Sequence, residues 1–242
     1  MPGLPTMTPE GDIADFKKLF SDSQLRPDML KIYPSLVIEN TPLYEEFKEG
    51  RYTPYSDEDM IKVLTEAKKN VPKWVRIMRV QREISPKEII AGPKSGNLRQ
   101  IVHQNLAKQG LSCKCIRCRE AGLTNKKTDN GDIKLNRIDY DSSGGKEVFL
   151  SYEDKNELIY GFLRLRKPST EAHREEINDD TCIVREIHVY GKSLKLGEKE
   201  TDEIQHSGLG KNLMKEAEKI SKVLYILDIS ISLENSYTLH QQ

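Results

Sequence analysis

The chain has 242 residues, 36% hydrophobic and 31% charged, and its basic and acidic side chains balance to a formal net charge of zero. That length suits one large domain or two small ones, and the composition suits a folded rather than a disordered chain. Neutrality excludes a protein that binds nucleic acid by bulk charge, so any RNA contact has to come from local basic patches.

The opening Met1-Pro2-Gly3-Leu4-Pro5 lacks the basic-then-apolar order of a signal peptide. No stretch approaches the roughly 18 apolar residues of a membrane span. The expectation is a cytoplasmic protein with no membrane partner. Thr8 caps a helix with Pro9 at its first position and Ile13, Phe16, Leu19 and Phe20 on one face. Met29 to Tyr33 reads as a short strand closed by Pro34, with Lys31 directed away from Leu30 and Ile32. Leu43, Tyr44 and Phe47 mark a helix that stops at Gly50. Ser56 and Asp59 form a capping box with Asp in place of Glu, opening a helix with Met60, Ile61, Leu64 and Ala67 inward. Trp74 to Val80 is a strand with interleaved arginines. Helix–strand alternation with short connections predicts parallel α/β structure over residues 1–92.

A helix from about Asn97 to Lys108 ends at Gly110. A cysteine cluster and the polar segment Asn125 to Asp132 follow, so residues 93–132 read as a linker module. Residues 133–242 are strand-rich, with candidates at Ile133–Tyr140, Glu147–Tyr152, Leu158–Arg166 and Cys182–Tyr190. A glycine loop at Gln205–Gly210 leads into a helix to about Lys222 and then an apolar stretch, Val223 to Ile231.

Gly208 and Gly210 flank Leu209 where the loop meets this helix, whose inner face carries Leu209, Leu213, Ala217 and Ile220. A glycine loop at a helix N-terminus suits a pyrophosphate, because unpaired N–H groups and the helix dipole favour an anion. A plain strand–turn–helix connection would look the same. Upstream, alternation over Cys182–Tyr190 places Val184, Glu186, His188 and Tyr190 on one face and Ile183, Arg185, Ile187 and Val189 on the other. Glu186 and His188 are therefore candidate catalytic groups. The plainer alternatives are a hydrogen-bonded strand histidine and a glutamate paired with a basic neighbour.

Cys113, Cys115 and Cys118 can supply three thiolates to one Zn²⁺, which takes four ligands in a tetrahedron. His103, Cys182, water or residues outside this chain are open options for the fourth. Three reduced, unligated cysteines are the alternative. Arg76, Arg79, Arg82, Arg99, Lys114, Arg117 and Arg119 concentrate in one part of the chain and offer phosphate contacts to RNA, unless they are ordinary surface charge.

The segments "VREIHVYG" and "QHSGLGKNLMKEAEKI" resemble the acetyltransferase domain of the Elongator catalytic subunit family, and "SYEDKNELIYGFLRLRKPS" resembles its preceding strand pair. "MPGLPTMTPEGDI", "RPDMLKIYPSLVI", "TPLYEEFKEGRYTPYS" and "VRIMRVQREI" resemble the last part of that family's radical SAM domain. The likeness runs in family order over about residues 1–222. It implies a family that carboxymethylates the wobble uridine of tRNA with acetyl-CoA, SAM and a [4Fe–4S] cluster. It implies a mixed α/β and α+β chain: the C-terminal part of a TIM-like radical SAM barrel at 1–92, a zinc-binding linker at 93–132, and a GNAT-type N-acetyltransferase-like domain at 133–242. Acetyl-CoA would run along Glu186, Ile187, His188 and Val189 and meet the loop of Gln205, Gly208, Leu209, Gly210 and Lys211. Expected partners are tRNA and other Elongator subunits or a second copy.

Two departures accompany the resemblance. The family's cysteine triad for the iron–sulfur cluster is absent, so the expectation is a fragment incomplete on its own. The end of the chain, Ile229 to Gln242, does not follow the family's pattern of paired tyrosines, and Tyr237 has no clear counterpart. A stand-alone protein or small-molecule N-acetyltransferase, with Glu186 as base, is the second reading. A non-catalytic zinc and RNA-binding module is the third.

Overall fold

Thr8, Thr41 and Ser56 each start a helix by the same device, a side-chain oxygen accepting an otherwise unpaired amide N–H of the first turn. These helices belong to a computed structural model that describes residues 1–123, 133–169, 171–178, 181–190, 208–224 and 228–231. The chain divides into two compact units, Met1–Cys118 and Arg119–Gln242.

In the first unit, α1 (Pro9–Ser21) begins at Thr8 with a proline in its first turn, and α2 spans Pro42–Lys48. The helix α3 (Asp57–Lys69) carries the expected capping box of Ser56 and Asp59. Its inner stripe of Met60, Val63, Leu64 and Ala67 is buried, each such side chain contributing roughly 1.5–3 kcal/mol for the larger ones. The strands are short. β1 (Met29–Lys31) and β3 (Arg76–Arg79) form a parallel pair, as expected, but β2 (Val37–Ile38) and β4 (Ile89–Ala91) pair antiparallel. Lys31 is exposed. The helix α4 (Leu98–Lys108) contributes Leu98, Val102 and Leu106 to one core with α3, β3 and the buried Cys113 and Cys115. The short helix α5 (Ile116–Arg119) follows the cysteine turn.

The second unit holds a five-stranded sheet in the order β5 (Lys134–Ser142), β6 (Gly145–Glu153), β7 (Ile159–Lys167), β8 (Thr181–Val189) and β9 (Asp228–Ile231). β5 to β8 are antiparallel, and β9 runs parallel to β8 after the helix α6 (Leu209–Leu224). Ser143 and Gly144, both at positive φ, make the two-residue turn between β5 and β6. The inner face of α6 is as expected: Leu209, Leu213, Ala217 and Ile220 are buried, the last three against Val148, Leu163, Leu165, Cys182 and Val184.

One expectation about β8 is corrected. Leu165 pairs with Val184 and Arg164 with Glu186, so Arg185 is an extra residue, a β-bulge. A bulge flips the alternation. Val184 therefore joins the α6 side of the sheet, opposite to the face that carries Glu186.

Candidate functional site

The cysteines come together because the chain turns sharply after α4. Gly110, at φ 67°, ends that helix, and the Leu111 amide donates back to the Leu106 carbonyl. The Ile116 amide then bonds the Val75 carbonyl and ties the turn to the neighbouring strand. The Cys118 amide bonds the Cys115 carbonyl, so the start of α5 brings Cys118 back towards Cys115. The three Sγ atoms lie within 4.8 Å of one another, with Cys115 and Cys118 at 3.4 Å, and none is in a disulfide. Sulfurs about 2.3 Å from a tetrahedral zinc stand about 3.8 Å apart, so three corners of such a site are nearly in place. Among the described residues this is the only such cluster of three.

Its surroundings favour thiolate at Cys115 and the protonated thiol at Cys113 and Cys118. Hydrogen bonds from Cys113 and Cys118 pull the Cys115 thiol strongly down, and the Ile77 amide adds to this. Cys113, donating to Cys115, is pushed up correspondingly. Lys68, fully buried near the end of α3, places its Nζ 3.7 Å from Cys118 Sγ. His103 on α4 has its Nε2 3.4 Å from the same sulfur. His103 as a residue is exposed, while partial burial of its ring first, then Lys68 and Arg99, pushes the imidazole down to about 4. A neutral imidazole is the form that ligates metals. Cys182 sits elsewhere, packed in the core of the second unit between β8 and α6.

Arg76, Arg79, Arg82 and Arg117 line one cleft of about 800 Å³ in the first unit, with Lys94 and Arg99. Arg79 lies 4.0 Å from Glu83, and Arg82 sits over the Tyr33 ring at 5.6 Å. Arg99 spends a guanidinium nitrogen on the Ile77 and Met78 carbonyls. Lys114 is not in this lining. Arg119 is the correction in this group: it is 4% exposed and pairs with the equally buried Glu153 at 2.9 Å, so it is not available to a phosphate.

In the second unit, the described residues of β9 pair with β8 over Thr181–Val184. Arg185–Val189 continue β8 beyond those pairs. The first turn of α6 meets this stretch: a Cβ added at Gly210 would touch Val189 Cγ2 at 3.5 Å. Gly208 precedes the helix at φ 76°, a conformation that favours glycine, and its carbonyl accepts the Asn212 amide at 3.0 Å. The amides of Leu209, Gly210 and Lys211 then have no acceptor within the helix, as at any helix start. Leu209 is buried, while Gly208 and Lys211 are exposed. Gln205 lies outside the described residues.

Glu186 and His188 share one face but differ in use. Glu186 accepts from Arg164 Nε at 2.8 Å, and Arg164 is only 1% exposed, its guanidinium over the Phe149 and Phe162 rings. His188 is exposed and packs against Tyr190, ring centroids 4.5 Å apart. Ile187 pairs with Leu163 and faces the α6 side, as does Val189 beside Gly161 and Gly210. Sequence reasoning missed Arg164 and Lys68. Both had a signal: Arg164 interrupts the apolar run of β7, and Lys68 follows Leu64 by one helical turn.

The Radical_SAM C-terminal domain family matches residues 27–108. The chain is 47% identical, over 92% of its length, to a tRNA uridine(34) acetyltransferase of Methanocaldococcus jannaschii, and 41% identical, over 92%, to Elongator complex protein 3 of Homo sapiens. It covers 42% and 41% of those two proteins. The structure of archaeal Methanocaldococcus infernus Elp3 with an N-terminal deletion superposes with a TM-score of 0.87 at 45% identity, over 96% of this chain and 56% of that one. The chain thus spans about half or less of these relatives. Among the described residues no helix is long and apolar enough to cross a membrane. A mixed α/β fold, sequence identity along nearly the whole chain and a shared backbone agree: over 92% of its length the chain is homologous to part of tRNA uridine(34) acetyltransferases and of Elongator complex protein 3.

Proposed function

We propose that this chain is the acetyl-CoA-binding and RNA-contacting part of an enzyme that modifies uridine 34 of tRNA, acting in the cytoplasm. The observation that carries the reading is the meeting of the first turn of α6 with the end of β8, where a Cβ on Gly210 would touch Val189 Cγ2 at 3.5 Å. Amides of Leu209, Gly210 and Lys211 suit the pyrophosphate of CoA, because they offer N–H donors and a dipole without a side chain in the way. The backbone of Glu186, Ile187, His188 and Val189 suits the extended pantetheine arm; Gln205, expected in the same loop, lies outside the described residues. The second unit, with its α6 crossover between β8 and the parallel β9, is read as GNAT-type, and the first as the end of a radical SAM barrel with a cysteine-bearing linker.

The cysteine centre fits zinc. Cys113, Cys115 and Cys118 would hold it, and His103 is the nearest candidate for the fourth corner. Zinc there would be structural, tying the end of α3 and α4 to the turn before α5. The chain's four cysteines contain no C-x3-C-x2-C spacing, so it is not proposed to hold the iron–sulfur cluster by itself. The cleft of Arg76, Arg79, Arg82 and Arg117 is the proposed tRNA contact, and other Elongator subunits or a second copy are the proposed protein partners. The stand-alone acetyltransferase reading needs a free carboxylate at Glu186, and the ion pair to Arg164 disfavours it.

The test is binding. Calorimetry with acetyl-CoA and gel-shift titration with tRNA should both detect a complex, the tRNA affinity falling steeply with salt. Binding of tRNA with no binding of acetyl-CoA would favour the non-catalytic module instead.

A further inference from the structure

A charged lysine inside a protein core is strongly destabilising unless something answers its charge. Lys68 is 0% exposed, lies in the last turn of α3 and points its Nζ at Cys118 Sγ, 3.7 Å away. The helix C-terminus favours a cation there but does not by itself explain why the residue is fully enclosed. Lys68 Nζ meets Cys118, and its charge acts on all three cysteines and on His103. Three thiolates and a divalent cation leave one negative charge, and a neutral imidazole or water as fourth ligand changes nothing. One lysine cancels it.

We propose that Lys68 is the counter-ion of the cysteine centre, neutralising a three-thiolate metal site and holding Cys118 in place through an N–H···S contact. Lys68 is a positioning residue: it touches a ligand atom and not the metal. Removing ligand charge repulsion and fixing one sulfur both raise metal affinity, as outer partners of metal ligands commonly do by about 10–100-fold. The inference rests on the metal reading above and adds to it the residue that makes burial of the centre affordable.

The experiment uses the full chain, with Co²⁺ as the probe. Sulfur-to-cobalt charge-transfer absorption reports thiolate ligation, and a competing chelator reports affinity. Lys68→Met removes the charge at similar volume, and Lys68→Gln keeps a donor without charge. Both should keep the absorption band of the wild type yet bind Co²⁺ at least about tenfold more weakly, equivalent to about 1.4 kcal/mol. Both should also lose part of the rise in Tm that Zn²⁺ gives the wild type, while their metal-free forms unfold no earlier. Wild-type affinity in both variants overturns the proposal, as does an equal loss of Tm with and without Zn²⁺. If Lys68→Met does not fold, Lys68→Gln decides alone. A wild type that takes up no metal overturns the metal reading itself, and this inference with it, whereas unchanged variants overturn only the role of Lys68.

Discussion

The cysteine turn in the first unit and the start of α6 in the second are built from opposite materials. Side chains make the first: three sulfurs, a buried ammonium and an imidazole converge, and every one of them is a residue that a substitution can delete. Backbone makes the second, where Gly208 and Gly210 keep side chains out of the way of amide donors. A site of the first kind fails when an atom is taken away. A site of the second kind survives most deletions and fails when an atom is added. The two units therefore call for opposite mutations.

The largest effect should come from Cys115→Ser, which removes the most buried thiolate. Metal sites of this type carry on the order of 10 kcal/mol of folding free energy, so metal content measured by mass spectrometry should fall from about one per chain to near zero. The Tm of the first unit should fall with it. Metal-free wild-type chain containing ordinary thiols, and no change on substitution, would erase the contrast between the two regions. Lowering the pH should release metal from the wild type, because protons compete for the same sulfurs.

Next comes Glu186→Ala. It removes the carboxylate that lies 2.8 Å from Arg164 Nε, a side chain only 1% exposed. Breaking a buried pair costs about 3–5 kcal/mol, and the lower end applies because Glu186 keeps 24% exposure. Denaturant unfolding should show this loss, while acetyl-CoA affinity measured on the folded variant should change less than about threefold, that is, by under about 0.7 kcal/mol. A large loss of affinity without a loss of stability would mean that the Glu186 side chain, and not only its backbone, serves the ligand.

The smallest effect is a control. Ser56→Ala removes the cap of α3, the helix that carries Lys68, and should cost about 1 kcal/mol in unfolding experiments. Metal content should stay at the wild-type level, since the cap lies at the far end of that helix.

Much of this was legible in the sequence where the pattern is local. The spacing of Leu209, Leu213, Ala217 and Ile220 gives α6 and its buried face, and Ser56 with Asp59 gives the start of α3. The close spacing of Cys113, Cys115 and Cys118 suggests the cluster, and the turn closed by the Cys118 amide on the Cys115 carbonyl brings the sulfurs together. What escaped is set by partners distant in the chain. The bulge at Arg185 leaves an alternating pattern that reads as regular, because only the register against Leu165 and Arg164 exposes the extra residue. Arg119 looks like its basic neighbours until Glu153 is found beside it. Lys68 looks like Lys69, one residue later, which reaches Glu66 near the surface. β2 and β4 are too short, at two and three residues, to carry a period at all.

The claim that the α6 start holds a phosphate through its backbone has one direct test, titration calorimetry of acetyl-CoA with the wild type and Gly210→Glu. The substitution adds a side chain and a negative charge beside Val189, in the first turn of the helix. Loss of even one hydrogen bond to a charged group costs about 1.5–3 kcal/mol, so the affinity should fall by about tenfold or more while thermal unfolding stays near wild type. Equal affinity in the two proteins would mean that the glycines only shape a turn, and that this end of α6 binds no phosphate.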